Sequence, residues 1–177
     1  MKDIKSVFSK FSSDHLNQKY IIFIDISNQN LCLLDEYKII EEYRISSSIY
    51  GEGNEEGSNK TPLGAHYIRE YFGKDVDIFT IFKNRVPTGH KAKLLPREQK
   101  SEEDIITTRI LWLDGLEEGF NKGANLDSYK RYIYIHGTNE EELIGQKASH
   151  GCIRMNNSDI IKLCNKNLLN TFVYISI

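Results

Sequence analysis

A histidine, a glycine and a cysteine stand side by side in the segment KASHGCIRMNN, at His150, Gly151 and Cys152. A free cysteine thiol has a pKa of about 8.5 and needs a base before it attacks a carbonyl. His150 is two residues from Cys152, and the segment RYIYIHG carries His136 a little upstream. Either imidazole could take the thiol proton and leave a thiolate–imidazolium pair, which is the chemistry of nucleophilic acyl transfer.

The alternation of side chains in RYIYIHG favours His136 as the base. In a strand, Ile133 and Ile135 face one side, while Tyr132, Tyr134 and His136 face the other. We expect the isoleucines in the core, which leaves the tyrosines and the histidine to line a cleft. General-base help of this kind contributes about 10²–10⁴-fold to a rate.

Gly151 indicates where an oxyanion would bind. A tetrahedral intermediate places negative charge on oxygen, and a glycine beside the nucleophile lets backbone N–H groups approach it closely. The N–H groups of Gly151 and Cys152 are therefore candidate donors. Losing one such donor costs on the order of 3–4 kcal/mol in enzymes where it has been measured.

The same residue types could instead bind zinc, with His136, His150 and Cys152 as ligands and Asp159 or water in the fourth position. Residue types alone favour a catalytic thiol but leave both readings open. The other two cysteines, Cys32 and Cys164, are predicted to be packing residues. An odd count without a CxxC motif fits a reducing compartment better than an oxidising one.

Composition sets the broad class of the protein. The 177 residues are 40% hydrophobic and 27% charged, which is typical of a soluble globular domain. The net charge of −2 gives no reason to expect a nucleic-acid or membrane partner. The longest apolar run near the N-terminus, residues 20–24, is too short for a secretory signal, so we expect a cytoplasmic location. No feature of the sequence sets an oligomeric state.

The pattern along the chain predicts a mostly β fold. Residues 1–18 form an amphipathic segment with Ile4, Val7, Phe8 and Phe11 at helical spacing, and short β-prone runs separated by turns follow from residue 19. Such runs suggest a barrel or a sandwich. One helix is predicted over residues 156–169, capped by Asn157 or Ser158.

Residues 73–100 are predicted to be irregular. Within them, residues 83–97 hold five basic side chains and no acidic one. Such a stretch is either a solvated loop or a flap that faces an anionic substrate.

Two motifs together resemble a known family. IHGT at residues 135–138, followed by IGQKASHGCIRM at residues 144–155, resembles the signature of the YkuD-like L,D-transpeptidases. TPLGAHY at residues 61–67 is similar to the TPxG element of that family. The resemblance extends over residues 19–177. It implies a YkuD-like β-sandwich or barrel of mixed strands, with a helix after the catalytic cysteine loop and with no cofactor or metal.

The resemblance also implies roles for individual residues. Cys152 would be the nucleophile and His136 the base, the carbonyl of Gly137 would orient the imidazole, and His150 and Gly151 would shape the oxyanion site. The expected substrate-binding residues are Arg154, Arg109, Tyr134 and Ser149. An arginine fork matches a substrate carboxylate. A structural salt bridge is an equal alternative for Arg154 and the favoured one for Arg109, and an aromatic residue on a strand such as Tyr134 is more often a packing residue.

The resemblance finally implies a substrate. In this family the cysteine attacks a peptidoglycan stem tetrapeptide, terminal D-alanine leaves, and an amine or water resolves the thioester. The chain is similar to a branch of signal-less cytoplasmic L,D-carboxypeptidases that trim recycled muropeptides, so we expect water as the acceptor. An L,D-transpeptidase that forms cross-links is one alternative. A non-catalytic or zinc-bound muropeptide-binding module is the other.

Overall fold

The computed structural model describes residues 4–11, 16–97, 99, 101 and 104–177. In this part of the chain there are two helices, α1 Ile4–Phe11 and α2 Asn157–Cys164. The strands are β1 Asn17–Asp25, β2 Asn30–Asp35, β3 Lys38–Ser46, β4 Gly64–Phe72, β5 Thr80–Lys83, β6 Val86–Lys91, β7 Ile106–Gly115, β8 Tyr134–Thr138, β9 Ile153–Met155 and β10 Thr171–Ser176. The predicted mostly β class is confirmed.

The strands close into a ring. The sheet runs in the order β4-β10-β1-β2-β3-β9-β8-β7, and β4 pairs a second time with β7. The pairs β1–β10 and β8–β9 are parallel and the remaining pairs are antiparallel, so the sheet is mixed. This closure confirms the expected barrel-like architecture. The β5–β6 hairpin continues the sheet outside the ring, from a single pairing of Ile81 with Thr107 of β7.

Side-chain alternation gives the ring two apolar faces. In β1, Ile22 and Ile24 belong to the main core, and Ile21 and Phe23 belong to a second cluster on the opposite face. The main core includes Ile160 and Leu163 of α2. The second cluster includes Ile4 and Phe8 of α1. Each fully buried side chain of this size contributes about 1.5–3 kcal/mol, so both helices are held by apolar packing against the strands.

The β5–β6 hairpin corrects the prediction that residues 73–100 are irregular. Its turn residues Asn84 and Arg85 both have positive φ, at 50° and 66°, as tight hairpin turns require. Every residue of β6 is exposed, and its sequence VPTGHK contains proline and glycine. The strand therefore lacks the alternation of apolar and polar residues by which strands are predicted.

Helix α2 is shorter than predicted and begins differently. It covers Asn157–Cys164, and Asn156 occupies the N-cap position. Asn157 does not cap the helix because its side chain is buried and bonds inward, donating to the carbonyl of Thr138 at 2.6 Å and accepting from Thr107 at 2.6 Å. At eight residues each, neither α1 nor α2 is long and apolar enough to cross a membrane.

His66 on β4 gives the fold a pH dependence. Its ring is buried between the carbonyl of Gly64, 3.0 Å from Nδ1, and the hydroxyl of Ser128, 2.9 Å from Nε2. Burial lowers the pKa of His66 to about 4. The unfolded chain therefore takes up a proton below pH 6.5 that the folded chain does not. The contribution of neutral His66 to the free energy of unfolding is therefore fully present above pH 6.5, and it is lost as the pH falls toward 4.

We expect the free energy of unfolding to fall by about 2 kcal/mol between pH 7 and pH 5 on account of His66 alone. Urea unfolding at the two pH values measures this change. His66→Gln should reduce the difference because glutamine does not titrate, and the exposed His90→Gln should leave it unchanged. An unaltered difference in His66→Gln would contradict the assignment.

Candidate active site

The parallel pairing of β8 with β9 places the candidate base on a strand next to the one that follows the candidate nucleophile. His136 on β8 lies opposite Arg154 on β9, and Cys152 immediately precedes β9. The backbone N–H of Tyr134 donates to Sγ of Cys152 at 3.4 Å. Cys152 therefore lies beside β8, which is the strand that carries His136.

His136 is held as a neutral base. Its Nδ1 lies 2.7 Å from the carbonyl oxygen of Gly137, and because a carbonyl only accepts, Nδ1 carries the proton. Nε2 is buried and has no hydrogen-bond partner among the described residues. Burial lowers the pKa of His136, although the Asp104 carboxylate and the Gly137 carbonyl oppose the shift. The ring thus offers a free lone pair at Nε2.

Gly137 is required by close packing. A Cβ at this position would lie 2.5 Å from Oδ1 of Asn157 and 2.9 Å from the carbonyl oxygen of Thr107. Both atoms are fixed, because Asn157 is buried and Thr107 is part of β7. Only glycine fits in this space, and its carbonyl accepts a hydrogen bond from Nδ1 of His136. This is the arrangement that the family resemblance implies.

Cys152 is half-buried, and its thiol is protonated at neutral pH. Sγ donates to the carbonyl oxygen of Tyr132 at 3.4 Å. Burial and the Asp104 carboxylate raise the pKa of Cys152 to about 12, against the opposing effects of the Tyr134 N–H and of Arg154 and Arg131. A thiol of this kind needs a base to become a nucleophile, and His136 is a neutral one.

The turn before Cys152 is built on Gly151. This residue has a φ of 125°, and its nearest contact to an added Cβ would be 3.5 Å, so the backbone conformation and not a lack of space requires glycine. The Gly151 N–H lies 3.4 Å from Oγ of Ser149, and the Ser149 hydroxyl donates to the Cys152 carbonyl at 2.5 Å. Ser149 is fully buried and shapes the turn, which differs from the expected contact with substrate.

His150 points away from Cys152. Its ring is exposed and lies 5.8 Å from that of Tyr50, while its backbone N–H is 3.4 Å from Oδ2 of Asp104. Asp159, the fourth member of the possible zinc set, pairs with Lys162 at 3.2 Å. The proposed ligands therefore do not converge, and the described residues hold no group of three or more side chains positioned for a metal.

Arg154 is a structural residue. Its Nε lies 2.8 Å from Oδ1 of Asp104 and its Nη1 lies 2.6 Å from Oε2 of Glu140, with 2% of the side chain exposed. The two carboxylates pair with the guanidinium inside the protein and balance its charge. Of the two roles expected for Arg154, the geometry supports the one that holds the loop and not contact with a substrate carboxylate.

Arg109 and Tyr134 also differ from their expected roles in binding. The Arg109 guanidinium donates to the carbonyls of Val76 and Thr108, at 2.8 and 2.6 Å, and lines a cavity of about 580 Å³ with Cys164. None of the groups in contact with the Cys152 thiol lines that cavity. Tyr134 is 4% exposed and packs its ring edge-on against Trp112 at 5.5 Å, so it is chiefly a packing residue.

Two charged side chains near the candidate site, Asp104 and Glu140, were not predicted from the sequence. Arg85 belongs to the basic stretch 83–97, which was expected to be either a solvated loop or a flap that faces an anionic substrate. Burial raises the pKa of Asp104, but His136, Arg154 and two hydrogen bonds outweigh it and lower the pKa overall. Asp104 therefore stays charged next to the base and the nucleophile. No spacing in the sequence links it to residues 136–154. The run of three glutamates after IHGTN, which begins at Glu140, was the one available signal.

Comparison with known proteins agrees with this geometry. Residues 19–175 match the YkuD family, described as the L,D-transpeptidase catalytic domain. The chain belongs to this family. Over 48 residues it is 50% identical to the protein YkuD of Bacillus subtilis (strain 168), an alignment that covers 24% of this chain and 29% of that relative.

Solved structures show the same fold. An L,D-transpeptidase from Mycobacterium smegmatis has a TM-score of 0.53 at 11% identity, covering 90% of this chain and 59% of that one. One from Enterococcus faecium has a TM-score of 0.53 at 16% identity, covering 90% and 50%. The chain thus spans little more than half the length of these relatives, and the likeness at such identities is one of fold.

In this YkuD family domain, two cavities adjoin the cysteine turn. One, of about 310 Å³, is lined by Tyr132 and Tyr134, whose backbones contact the Cys152 thiol. The other, of about 280 Å³, is lined by His150 and Arg154 on either side of Cys152 in sequence. The first cavity is therefore connected to Cys152 through the backbones of these two tyrosines.

Proposed function

We propose that the chain is a cysteine acyltransferase that acts on peptidoglycan stem tetrapeptides and releases terminal D-alanine as an L,D-carboxypeptidase. The observation that carries the proposal is the free Nε2 of His136, whose Nδ1 is fixed on the Gly137 carbonyl in the strand beside Cys152. Membership of the YkuD family supports the substrate class.

In the proposed acylation, Sγ leaves the Tyr132 carbonyl, turns to His136 and gives its proton to Nε2. The sulfur attacks the carbonyl carbon that precedes terminal D-alanine, and the C–N bond breaks. The imidazolium returns its proton to the departing amine, so D-alanine leaves neutral at nitrogen and a thioester remains on Cys152. The charge on Asp104 favours the imidazolium that forms midway.

In deacylation His136 removes a proton from water, which attacks the thioester and frees the tripeptide carboxylate and the thiol. The resemblance of the chain to the carboxypeptidase branch supports water as the acceptor. A cytoplasmic location and recycled muropeptides as substrates are part of the same proposal. Cross-linking by an amine of a second stem is the other candidate, which the description of the matched family as an L,D-transpeptidase catalytic domain favours.

Product analysis separates these reactions. The purified chain is incubated in ¹⁸O-labelled water with a free tetrapeptide and, separately, with a disaccharide tetrapeptide. The products are identified by mass spectrometry. We expect free D-alanine and a tripeptide that carries one ¹⁸O atom. Cross-linked dimers with little labelled tripeptide would replace the carboxypeptidase with an L,D-transpeptidase. Intact substrate and unmodified protein would argue for a binding module.

A further inference from the structure

The cavity of about 310 Å³ beside Cys152 has a cationic wall. It is lined by Asn84, Arg85, Ile106, Tyr132 and Tyr134. Its two tyrosines supply the carbonyl and the N–H that contact the Cys152 thiol, each at 3.4 Å. Cys152 also packs against the apolar cluster that includes Tyr134 and, at its edge, Ile106. A group bound in this cavity is therefore separated from the Cys152 thiol only by the two tyrosines that contact it.

Arg85 is held over the cavity by aromatic side chains. It sits at the tip of the β5–β6 hairpin, and its Nη1 donates to the Tyr134 hydroxyl at 3.1 Å. The guanidinium carbon lies 4.8 Å from the ring centre of Trp112 and 5.2 Å from that of Tyr132. Stacking of this kind fixes the plane of a guanidinium and leaves its edge open to a ligand.

No carboxylate of the described residues pairs with Arg85. A guanidinium has five N–H donors in a fixed fork, and Tyr134 accepts from one nitrogen only. The other arginines near the site differ. The charge of Arg154 is paired with two carboxylates, and Arg131 donates to the backbone carbonyls of residues 53, 54 and 60. Arg85 is thus the half-buried cation beside Cys152 that retains capacity for an anion.

We propose that Arg85 binds a carboxylate of the peptide whose carbonyl Cys152 attacks. This inference rests on the proposed function and assigns a substrate-binding residue within it. The terminal carboxylate of a tetrapeptide is one residue, ~3.8 Å from Cα to Cα, beyond the scissile bond, so it must lie close to the thiol. Carboxylates further back along the stem share the same chemistry. The planar guanidinium can donate paired N–H···O bonds to either carboxylate.

Kinetics on matched substrates test the proposal. Arg85→Gln should lower kcat/KM on the tetrapeptide about 10- to 100-fold, the effect of losing a charge-assisted hydrogen bond. On the C-terminal amide of the same peptide the wild type should already be slow, and Arg85→Gln should cause little further loss. Arg85→Lys should recover part of the rate. Lys83→Gln, an exposed cation on the same hairpin, is the matched control and should behave as the wild type.

A third peptide identifies which carboxylate is bound. It keeps its terminal carboxylate but is amidated at the carboxyl groups further back along the stem. If Arg85→Gln loses activity on the C-terminal amide but not on this third peptide, a stem carboxylate is the ligand. An equal loss on the acid and on both amides would overturn the proposal, because it would show that Arg85 only supports the hairpin. Equal kcat/KM values for Arg85→Gln and wild type on the tetrapeptide would overturn it as well.

Binding separates this inference from the proposed function. Calorimetry compares tetrapeptide binding to Cys152→Ala with binding to Cys152→Ala/Arg85→Gln, without any turnover. We expect about a 10- to 100-fold weaker affinity in the double variant. If the wild type releases no D-alanine but this difference persists, the proposed reaction fails and the carboxylate site stands. Equal affinities overturn the site whatever the activity of the wild type.

Discussion

Cys152→Ala is expected to abolish release of the terminal residue, and His136→Gln to slow it by about 10²–10⁴-fold. The first variant lacks the attacking sulfur. The second keeps the sulfur but loses the lone pair at Nε2, which has no other partner among the described residues. Because burial raises the pKa of Cys152 to about 12, little thiolate forms at neutral pH without a base. The effect of His136→Gln should therefore be large at pH 7.

The pH profile adds a second readout of the same pair. The active base is the neutral imidazole, and burial lowers the pKa of His136 below the ordinary 6.5. The kcat/KM of the wild type should consequently stay level as the pH falls through 6.5 and decline only in more acidic solution. In His136→Gln this decline should disappear, and the rate should rise with pH because hydroxide then has to remove the thiol proton.

Intact mass measures acylation directly. The wild type should gain the mass of the acyl group from substrate, and Cys152→Ala should not. Cys164→Ala is the matched control, since that thiol is also half-buried, with its pKa raised to about 12, but lines the cavity of Arg109. An acyl group that still forms on the Cys152→Ala variant would contradict the assignment of Cys152 as the nucleophile. A His136→Gln variant as fast as the wild type at pH 7 would refute the base.

Arg154→Met is expected to lower the free energy of unfolding by about 3–5 kcal/mol, the usual result of breaking a buried ion pair from one side. Methionine fits the volume but leaves the carboxylates of Asp104 and Glu140 without their shared partner. Since Asp104 also accepts from the His150 N–H, we expect the cysteine turn to loosen as well. Urea unfolding at pH 7 measures the stability.

Two further variants separate charge from packing. Lys91→Met removes an ion pair of similar length, 2.9 Å to Asp77, whose two side chains are largely exposed, and should change stability far less. Adding Glu140→Gln to Arg154→Met should recover part of the loss, because one unpaired buried charge is then gone. A loss in Arg154→Met no greater than in Lys91→Met would mean that the buried pairs contribute nothing beyond an exposed one.

The candidate site around Cys152 could be chosen from sequence because its parts are local and match a family motif. Cys152 and Gly151 are adjacent, and His136 and Gly137 lie on one short strand whose alternation is visible. The mostly β class followed from β-branched and aromatic runs such as those of β1 and β10. In each case the prediction rests on residues that are adjacent in sequence or on the two-residue alternation of a strand.

The environment of the centre was not predictable because its contacts are long-range. Asp104 meets Arg154 across fifty residues, and Arg85 meets Tyr134 across forty-nine. Nothing in the spacing of these residues encodes the ring closure that joins them. For Arg154 and Arg109 the sequence could not separate substrate binding from structural pairing. In the structure both guanidinium groups bind within the protein, and Arg85 remains available.

The closed ring has a consequence for how the protein meets other chains. A strand at an open edge offers unpaired N–H and C=O groups that promote edge-to-edge aggregation. Because β4 pairs with both β10 and β7, the main edge left among the described strands is β6. That strand contains Pro87, which has no N–H, and ends at Lys91. The hairpin that carries Arg85 thus also protects the sheet from aggregation, because Pro87 and Lys91 disfavour the pairing of a strand from another chain with β6.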